Sequence, residues 1–309
     1  MAHYLDPKND LTFKRIFGEH EDICMSLLNS MLPLEKGRQI VSLQYQSSEL
    51  IPEIPLLKDS IVDVGCTDSS GRRFIVEMQM QWTGSFKRRV LLNASKAYVK
   101  QLDTGKDYRL IQPVYALNFV NDTFDPDPDV YYHDYKVVNI ENVEKQIEGL
   151  ELVFIELPKY RPAGRTEKKL YDLWLTFLTG IKEGAESVPE ELLKEEVTRE
   201  AVKYLERHSY TKAELDAYDK FLDVILTTRT YYVDAFFEGR EEGIAEGMEK
   251  GMAEGMEKGK AEGKAEMIRE MVIAGNKNGL SMEQMQTFFN LDRARIEEIL
   301  RQAEESPVI

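Results

Sequence analysis

The strongest constraint on the fold is the alternation of apolar and polar side chains in two neighbouring segments, Ser60–Cys66 and Phe74–Trp82. A β-strand points successive side chains to opposite faces of a sheet, so this two-residue period predicts two strands. The connection between them contains Thr67–Gly71, which is rich in turn-forming residues and predicts a hairpin. The chain is therefore expected to build a sheet that includes residues 60–82.

The alternation also assigns a face to each side chain of the two predicted strands. The apolar face carries Val62, Val64, Cys66, Phe74, Val76, Met78 and Met80, and the polar face carries Asp63, Glu77, Gln79 and Gln81. If the strands pair as a hairpin, Asp63 and Glu77 lie close together on the polar face. The sequence alone does not fix the register of that pairing.

Two neighbouring carboxylates raise each other's pKa unless a cation lies between them. Mg²⁺ binds one or two carboxylates together with waters and phosphate oxygens, and it can activate water against a phosphodiester. The alternative is that Asp63 and Glu77 are ordinary solvent-facing residues of a hairpin. Spacing alone favours this alternative, because many hairpins place two acidic residues in the same way.

The remaining elements follow the order helix, strands, helix, strands and then helices only. The predicted strands outside the hairpin are Ile40–Tyr45, Val114–Val120, Val130–Val138 and Leu152–Leu157, and the predicted helices of the first half are Asp10–Leu32 and Phe86–Leu102. From about residue 166 the apolar spacing is helical, and two short helices are expected in Leu280–Ala303. This order indicates an α/β core followed by a helical extension.

The composition limits the class of protein and its compartment. The chain has 309 residues, of which 42% are hydrophobic and 31% charged, as expected for about two globular domains with a long exposed helical part. Two cysteines cannot build a disulfide framework, so a cytoplasmic location is expected. No apolar run approaches the length of a membrane span, so no membrane partner is expected.

The net charge of −15 does not exclude a nucleic acid partner, because the acidic excess lies in one part of the chain. Residues 1–122 hold 15 basic and 15 acidic residues, which leaves 25 basic and 40 acidic residues for the rest. The neutral first part includes the basic cluster Lys87, Arg88 and Arg89. That part can therefore present a positive surface to a polyanion.

Glycine recurs at every fourth position from Gly239 to Gly263. Each glycine costs a helix up to ~1 kcal/mol relative to alanine, although the residues between them are good helix formers. A four-residue step drifts about 40° around a helix per repeat, which argues against a heptad coiled coil. The segment is interpreted as a solvated helix or spacer, with self-association as the alternative.

A series of short motifs follows in a fixed order along the chain. They are Asp6-Pro7 with Asp10, Phe13-Lys14 and Ile16-Phe17; Asp63 with Asp68 and Gly71; Glu77-Met78-Gln79; Arg89 with Tyr98; Gln101-Leu102, Gly105 and Tyr108; and Pro113-Val114-Tyr115. With the glycine repeat and the C-terminal helix pair, this ordered set resembles the transposase-like branch of the PD-(D/E)XK nuclease superfamily, the Rpn family of recombination-promoting nucleases. No single motif is specific, but the ordered set is, and it covers most of the chain.

The resemblance implies a restriction-endonuclease-like α/β core, in which helices flank a mixed central sheet, followed by an all-helical C-terminal extension. The expected domain limits are 1–160 for the nuclease-like core, 161–237 for a helical extension, 238–266 for the glycine-repeat spacer and 267–309 for a small helical pair. The helical C-terminal region is also the expected surface for any homo-oligomer.

The resemblance further implies a metal-dependent site that cuts DNA, with Mg²⁺ as the cofactor and Mn²⁺ as a substitute. Asp63 and Glu77 match the two acidic metal ligands. Gln79 stands where the wider superfamily has a lysine, and its amide can only orient the attacking water or a phosphate oxygen through hydrogen bonds. The missing positive charge is expected from Lys14 or Lys58.

Asp10 and Lys14 have two possible interpretations each, and Gln81 has a minor expected role. Asp10 and Lys14 are four residues apart on a predicted helix, so they either form a surface ion pair or approach the site. Gln81 points to the same face as Glu77 but is expected to be peripheral to the chemistry.

The basic cluster Lys87, Arg88 and Arg89 begins six residues after Gln81, at a predicted helix start. It is expected either to hold the DNA backbone or to be merely solvated. Taken together, these features predict a Mg²⁺-dependent DNA endonuclease associated with recombination or transposition-like DNA rearrangement. The alternative is a catalytically inactive DNA-binding or oligomeric scaffold with the same fold.

Overall fold

Residues 64–68 and 73–79, from the two alternating segments, lie in a mixed sheet of six strands, whereas residues 60–61 pair with residues 49–50 in a separate two-stranded sheet. The single strand predicted for Ser60–Cys66 is therefore wrong, because its two ends belong to different sheets. A computed structural model describes residues 3–46, 49–50, 60–61, 63–102, 107–162 and 170–305. The strands are β1 (Leu43–Tyr45), β2 (Glu49–Leu50), β3 (Ser60–Ile61), β4 (Val64–Asp68), β5 (Arg73–Gln79), β6 (Val114–Val120), β7 (Tyr132–Asn139) and β8 (Asn142–Glu156). The helices are α1 (Asp10–Glu19), α2 (Glu21–Met31), α3 (Phe86–Val99), α4 (Leu170–Gly180), α5 (Glu196–Lys203), α6 (Lys212–Lys277), α7 (Met282–Phe289) and α8 (Arg293–Glu305).

The strand order of the large sheet is β1-β4-β5-β6-β8-β7. The β1–β4 and β4–β5 pairs are antiparallel, as a hairpin and its flanking strand require. The β5–β6 and β6–β8 pairs are parallel, whereas β7 returns antiparallel along β8. Parallel strands need a long crossover connection, and α3 lies within the segment that links β5 to β6. The sheet is therefore mixed and helix-flanked, which confirms the predicted fold class.

Apolar side chains cover both faces of this sheet. On one face, Phe13 of α1 and Trp174 of α4 share a core with Phe74 and Val76 of β5. On the other face, α3 packs on the sheet and a second core contains Ile75 of β5. The alternation along β5 thus puts Phe74 and Val76 on the apolar side that the sequence predicts. The side of β5 that carries Glu77 is covered by α3 rather than open to solvent.

The single helix predicted for residues 10–32 is wrong, because this segment forms α1 and α2, which are separated at His20. His20 has an extended backbone, with φ −124° and ψ 98°, and therefore interrupts the helical geometry. Phe13 and Leu27 are buried in the same core on either side of the break. The apolar spacing continues across His20, which is why it does not reveal the interruption.

Other strand limits also differ from their predictions, and β5 ends at Gln79 rather than at Trp82. β8 begins at Asn142 rather than at Leu152, and its first half is exposed to solvent. β1 covers only the last three residues of the predicted segment 40–45. Strand pairing outside the core leaves no buried side chain on either face, so hydrophobic alternation is absent there.

The chain divides into two compact units, Met1–Arg229 and Thr230–Ile309. The glycine repeat is helical and lies within α6, which spans 66 residues. In the second unit, Val272, Met285, Ile296 and Ile299 form a small core. None of the described helices is both long and apolar enough to cross a membrane. The domain limits drawn from the sequence stay predictions.

Candidate active site

The pairing of β4 with β5 brings Asp63 and Glu77 together. Val64 is the Cα partner of Val76 in this antiparallel pair. Asp63 directly precedes Val64 and Glu77 directly follows Val76, so the two acidic residues extend the same register by one position. The Oδ2 atom of Asp63 accepts a hydrogen bond from the main-chain N–H of Met78 at 2.7 Å. This bond anchors Asp63 beside the strand that carries Glu77.

Both carboxyl groups have raised pKa values. Burial is the main cause of the raised pKa of Glu77, which is only 5% exposed, and the negative charge of Asp63 raises it further. Burial also raises the pKa of Asp63, although the N–H of Met78 and the charge of Lys14 oppose this effect. The alternative of two solvent-facing carboxylates is therefore wrong for Glu77. Mutual repulsion and burial of two acids in one place are typical of functional sites.

Two cations lie against these carboxylates. The Nζ atom of Lys14 is 2.7 Å from Oδ1 of Asp10 and 3.8 Å from Oδ1 of Asp63. On the other side, an Nη2 atom of Arg89 is 3.7 Å from Oε2 of Glu77. Asp10 and Lys14 thus form the surface pair that the sequence allows, and that pair also lies beside Asp63.

Gln79 belongs to the same cluster and Gln81 does not. The Oε1 atom of Gln79 accepts a hydrogen bond from Nη2 of Arg89 at 2.5 Å, and its amide group donates to the main-chain oxygen of Gln81 at 2.6 Å. The amide group of Gln81 instead donates to the main-chain oxygen of Ile225 in α6 at 3.3 Å. Lys58, the second candidate cation, lies outside the described residues.

The structure separates the three basic residues at the start of α3. Lys87 donates to the hydroxyl group of Tyr135 at 2.9 Å, and its ammonium group lies 4.4 Å from the ring centre of Phe124. Arg88 is exposed. Arg89 reaches Glu77 and Gln79 instead. The cluster is therefore divided: Lys87 contacts aromatic side chains, Arg88 is exposed to solvent, and Arg89 contacts the carboxylate site.

Asn93 of α3 belongs to the site and is missed by the sequence analysis. Its Nδ2 atom donates to Oε1 of Glu77 at 2.9 Å, and the residue is 1% exposed. A signal for it exists in the sequence. Asn93 is a polar residue on the face of α3 that otherwise buries Phe86, Val90, Ala94 and Ala97.

The donor set suits a hard divalent cation. Within the described ranges, no group of three or more His, Cys, Asp or Glu side chains is arranged to hold a metal ion. Asp63 and Glu77 form a pair of carboxylates without nitrogen or sulfur ligands beside them. Mg²⁺ is bound in this way, by one or two carboxylates with the remaining positions taken by water and substrate oxygens. The residues present therefore fit Mg²⁺ or Mn²⁺.

Comparison with known proteins gives a single result. No curated protein and no solved structure matches the chain. The model of the family described as PD-(D/E)XK nuclease family transposase matches residues 7–230. The match covers most of the chain, from the segment before α1 into α6, and includes every residue of the site described above. The chain therefore belongs to the PD-(D/E)XK nuclease family transposases, whose function is nuclease or transposase-like.

Proposed function

We propose that this protein is a Mg²⁺-dependent DNA endonuclease that hydrolyses phosphodiester bonds. The observation that carries the proposal is the juxtaposition of the partly exposed carboxylate of Asp63 and the buried carboxylate of Glu77, which the pairing of β4 with β5 brings together. The resemblance to recombination-promoting nucleases supports a role for this activity in recombination or transposition-like DNA rearrangement. The free cysteines Cys24 and Cys66 are consistent with the proposed cytoplasmic location.

The two carboxylates would hold the cation. Nucleases of this family typically use divalent metal ions, and such an ion binds the phosphate and lowers the pKa of a bound water. Asp63 is held by the N–H of Met78, and Glu77 is held by Asn93, so neither carboxylate has to be ordered when the ion binds. Mn²⁺ would substitute for Mg²⁺ because it prefers the same oxygen ligands.

Gln79 and the nearby cations would position the substrate. The side-chain amide of Gln79 is fixed at both ends, by Arg89 and by the main chain of Gln81, so it can offer hydrogen bonds in a defined direction. Lys14 lies on the Asp63 side of the site and supplies positive charge there. This contact supports Lys14 in the role of the missing cation, and Lys58 lies outside the described residues.

Two further basic residues would contact the DNA backbone. Arg88 is exposed, and Lys87 is held by the hydroxyl group and ring of Tyr135 and by the ring of Phe124, so its charge faces no acidic group among its described contacts. A cation whose described contacts include no acidic group can bind a phosphate without first breaking an ion pair. Such contacts position DNA without reading its sequence.

The test is cleavage of supercoiled plasmid DNA with Mg²⁺, Mn²⁺ or EDTA. Asp63→Ala and Glu77→Gln are expected to abolish nicking, whereas Glu151→Gln is expected to retain it. Glu151 is a matched control, because burial also raises the pKa of this carboxyl group on β8 and Lys136 lies 3.4 Å from it. Full cleavage by the Asp63 and Glu77 variants, or cleavage that persists in EDTA, would contradict the proposal.

The inactive-scaffold alternative makes a different prediction for metal binding. Isothermal titration of the purified protein with Mn²⁺ is expected to show one site that Asp63→Ala removes. If the protein binds DNA but not Mn²⁺ or Mg²⁺, the chain is a scaffold that keeps the nuclease fold.

Self-association through the helical C-terminal region is part of the proposal. The side chains of Ile244, Met248, Met252 and Met256 are between 52% and 79% exposed on α6, which leaves an apolar surface available to a second copy. Size-exclusion chromatography with light scattering is expected to give a dimer or larger assembly. A monomer at every protein concentration would contradict the proposed self-association.

A further inference from the structure

Asn93 is a buried polar residue whose only described hydrogen bond goes to Glu77. It is 1% exposed, and its Nδ2 atom donates to Oε1 of Glu77 at 2.9 Å. Its Oδ1 atom is buried and has no hydrogen-bond partner in the part of the chain that the structure describes. The acceptor side of this amide is thus unused among the described residues, and its one described hydrogen bond serves a carboxylate.

Packing does not explain the choice of asparagine at this position. The neighbouring buried residues on the same face of α3, Val90 and Ala94, are apolar and contribute to the core. A buried amide costs free energy unless hydrogen bonds replace its lost water contacts, and the unpaired Oδ1 atom of Asn93 keeps part of that cost. The one compensating contact that the structure describes is the bond to Glu77.

Asn118 is a second buried asparagine at this location, and its Oδ1 atom also has no hydrogen-bond partner among the described residues. It is the Cα partner of Glu77 in the parallel β5–β6 pair, and it is fully buried. Its amide group donates to the main-chain oxygens of Ala116 and Val153 at 3.1 and 3.0 Å. Asn118 therefore ties strands together, whereas Asn93 crosses from α3 to a side chain of the site.

The bond to Asn93 leaves the two oxygens of Glu77 in different surroundings. Oε1 is occupied by the neutral amide of a rigid helix, and Oε2 lies on the side of Arg89, 3.7 Å from its Nη2 atom. Since Arg89 is half exposed and Asn93 is buried, Oε2 lies on the more open side of Glu77. The contact with Asn93 thus holds Oε1 and leaves Oε2 as the oxygen that the Asn93 amide does not hold.

We propose that Asn93 is the positioning residue of the metal site, which fixes the carboxylate of Glu77 so that Oε2 is presented to the divalent ion. This inference rests on the proposed function. Removal of a group that hydrogen-bonds to a metal ligand and orients it typically changes metal affinity by about 10-fold to 100-fold. An effect of that size is expected for the loss of the Asn93 amide.

The test measures metal binding rather than cleavage. Mn²⁺ affinity of the full chain is measured by isothermal titration, and the bound ion is examined by electron paramagnetic resonance. Asn93→Leu removes the donor at similar size, and Asn93→Ala removes it without any risk of overpacking if the leucine variant does not fold. Both are expected to weaken Mn²⁺ binding by about 10-fold to 100-fold and to change the spectrum of the bound ion.

Asn118→Leu is the matched control. It removes a similarly buried amide from β6, next to Glu77 in the sheet, and it is expected to lower thermal stability but leave Mn²⁺ affinity and the spectrum unchanged. If Asn93→Ala binds Mn²⁺ as the wild type does, or if Asn118→Leu weakens binding equally, the positioning role is overturned. If the wild-type protein itself binds no Mn²⁺, the proposed function fails instead, so the two failures are distinguishable.

Discussion

The carboxylate of Asp63 accepts a hydrogen bond from the main-chain N–H of Met78 at 2.7 Å, across fifteen positions of sequence. The β4–β5 ladder ends at Val64 and Val76, so the main-chain N–H of Met78, the next donor of β5 on that side, needs a hydrogen-bond partner. The side chain of Asp63 is that partner. Asp63 therefore has two roles, as a cap of the strand pair and as a proposed metal ligand.

These two roles can be separated by substitution. Asp63→Asn keeps an oxygen acceptor for Met78 but loses the charge, so the fold is expected to be retained while cleavage falls by at least about 100-fold, or roughly 3 kcal/mol of transition-state stabilisation. Asp63→Leu also leaves the N–H unpaired, which is expected to cost about 1–3 kcal/mol of stability. Plasmid nicking and urea unfolding measure the two effects. Equal stability of the two variants would show that the hydrogen bond does not matter.

The buried charge of Glu77 is expected to lower the stability of the folded protein, although the proposed function requires this carboxylate. Burial raises its pKa, so the folded state holds the proton more tightly than the unfolded state does. Stability therefore falls as pH rises from the ordinary glutamate pKa to the raised one, and the full cost remains above it. In EDTA, Glu77→Gln is expected to have a higher melting temperature than the wild type at about pH 8, and the difference is expected to vanish at about pH 4.

The control for this experiment is Glu246→Gln, which removes an exposed carboxylate from α6. It is expected to leave the melting temperature unchanged at both pH values. A Glu77→Gln variant that is less stable than the wild type at about pH 8 would show that Asn93 and Arg89 outweigh the burial of the charge.

Arg88 and Arg89 are adjacent in sequence but are expected to act differently. Arg88→Ala removes an exposed cation, so DNA affinity is expected to fall and the slope of its salt dependence to decrease by about 1, with Mn²⁺ affinity unchanged. Arg89→Ala also frees Gln79 and Glu77, so both DNA cleavage and Mn²⁺ affinity are expected to change. Fluorescence anisotropy at several salt concentrations and isothermal titration measure these effects. Identical behaviour of the two variants would contradict the division of the cluster.

The alternation around residues 60–82 predicts the hairpin and the shared face of Asp63 and Glu77, because strand geometry has a fixed period of two. Strand alternation does not reveal Asn93, since the contact of Asn93 with Glu77, sixteen positions earlier in the chain, depends on how α3 packs on the sheet. Nor can it separate Lys87 from Arg89. Residues two apart on a helix point in different directions, and only the tertiary surroundings decide what each one meets.

The glycine repeat is expected to lower the stability of α6. A Cβ atom added to Gly247, Gly251 or Gly255 would meet no atom of the described residues within 4 Å, so no contact with that part of the chain requires glycine there. Alanine is expected to stabilise the helix by roughly 0.5–1 kcal/mol per site, measured as slower hydrogen exchange in residues 243–259. Gly279 has φ +81°, so Gly279→Ala is expected to destabilise the helix end by about 1 kcal/mol. If alanine in the repeat instead speeds exchange or dissociates an assembly, the glycines serve close approach by a second chain.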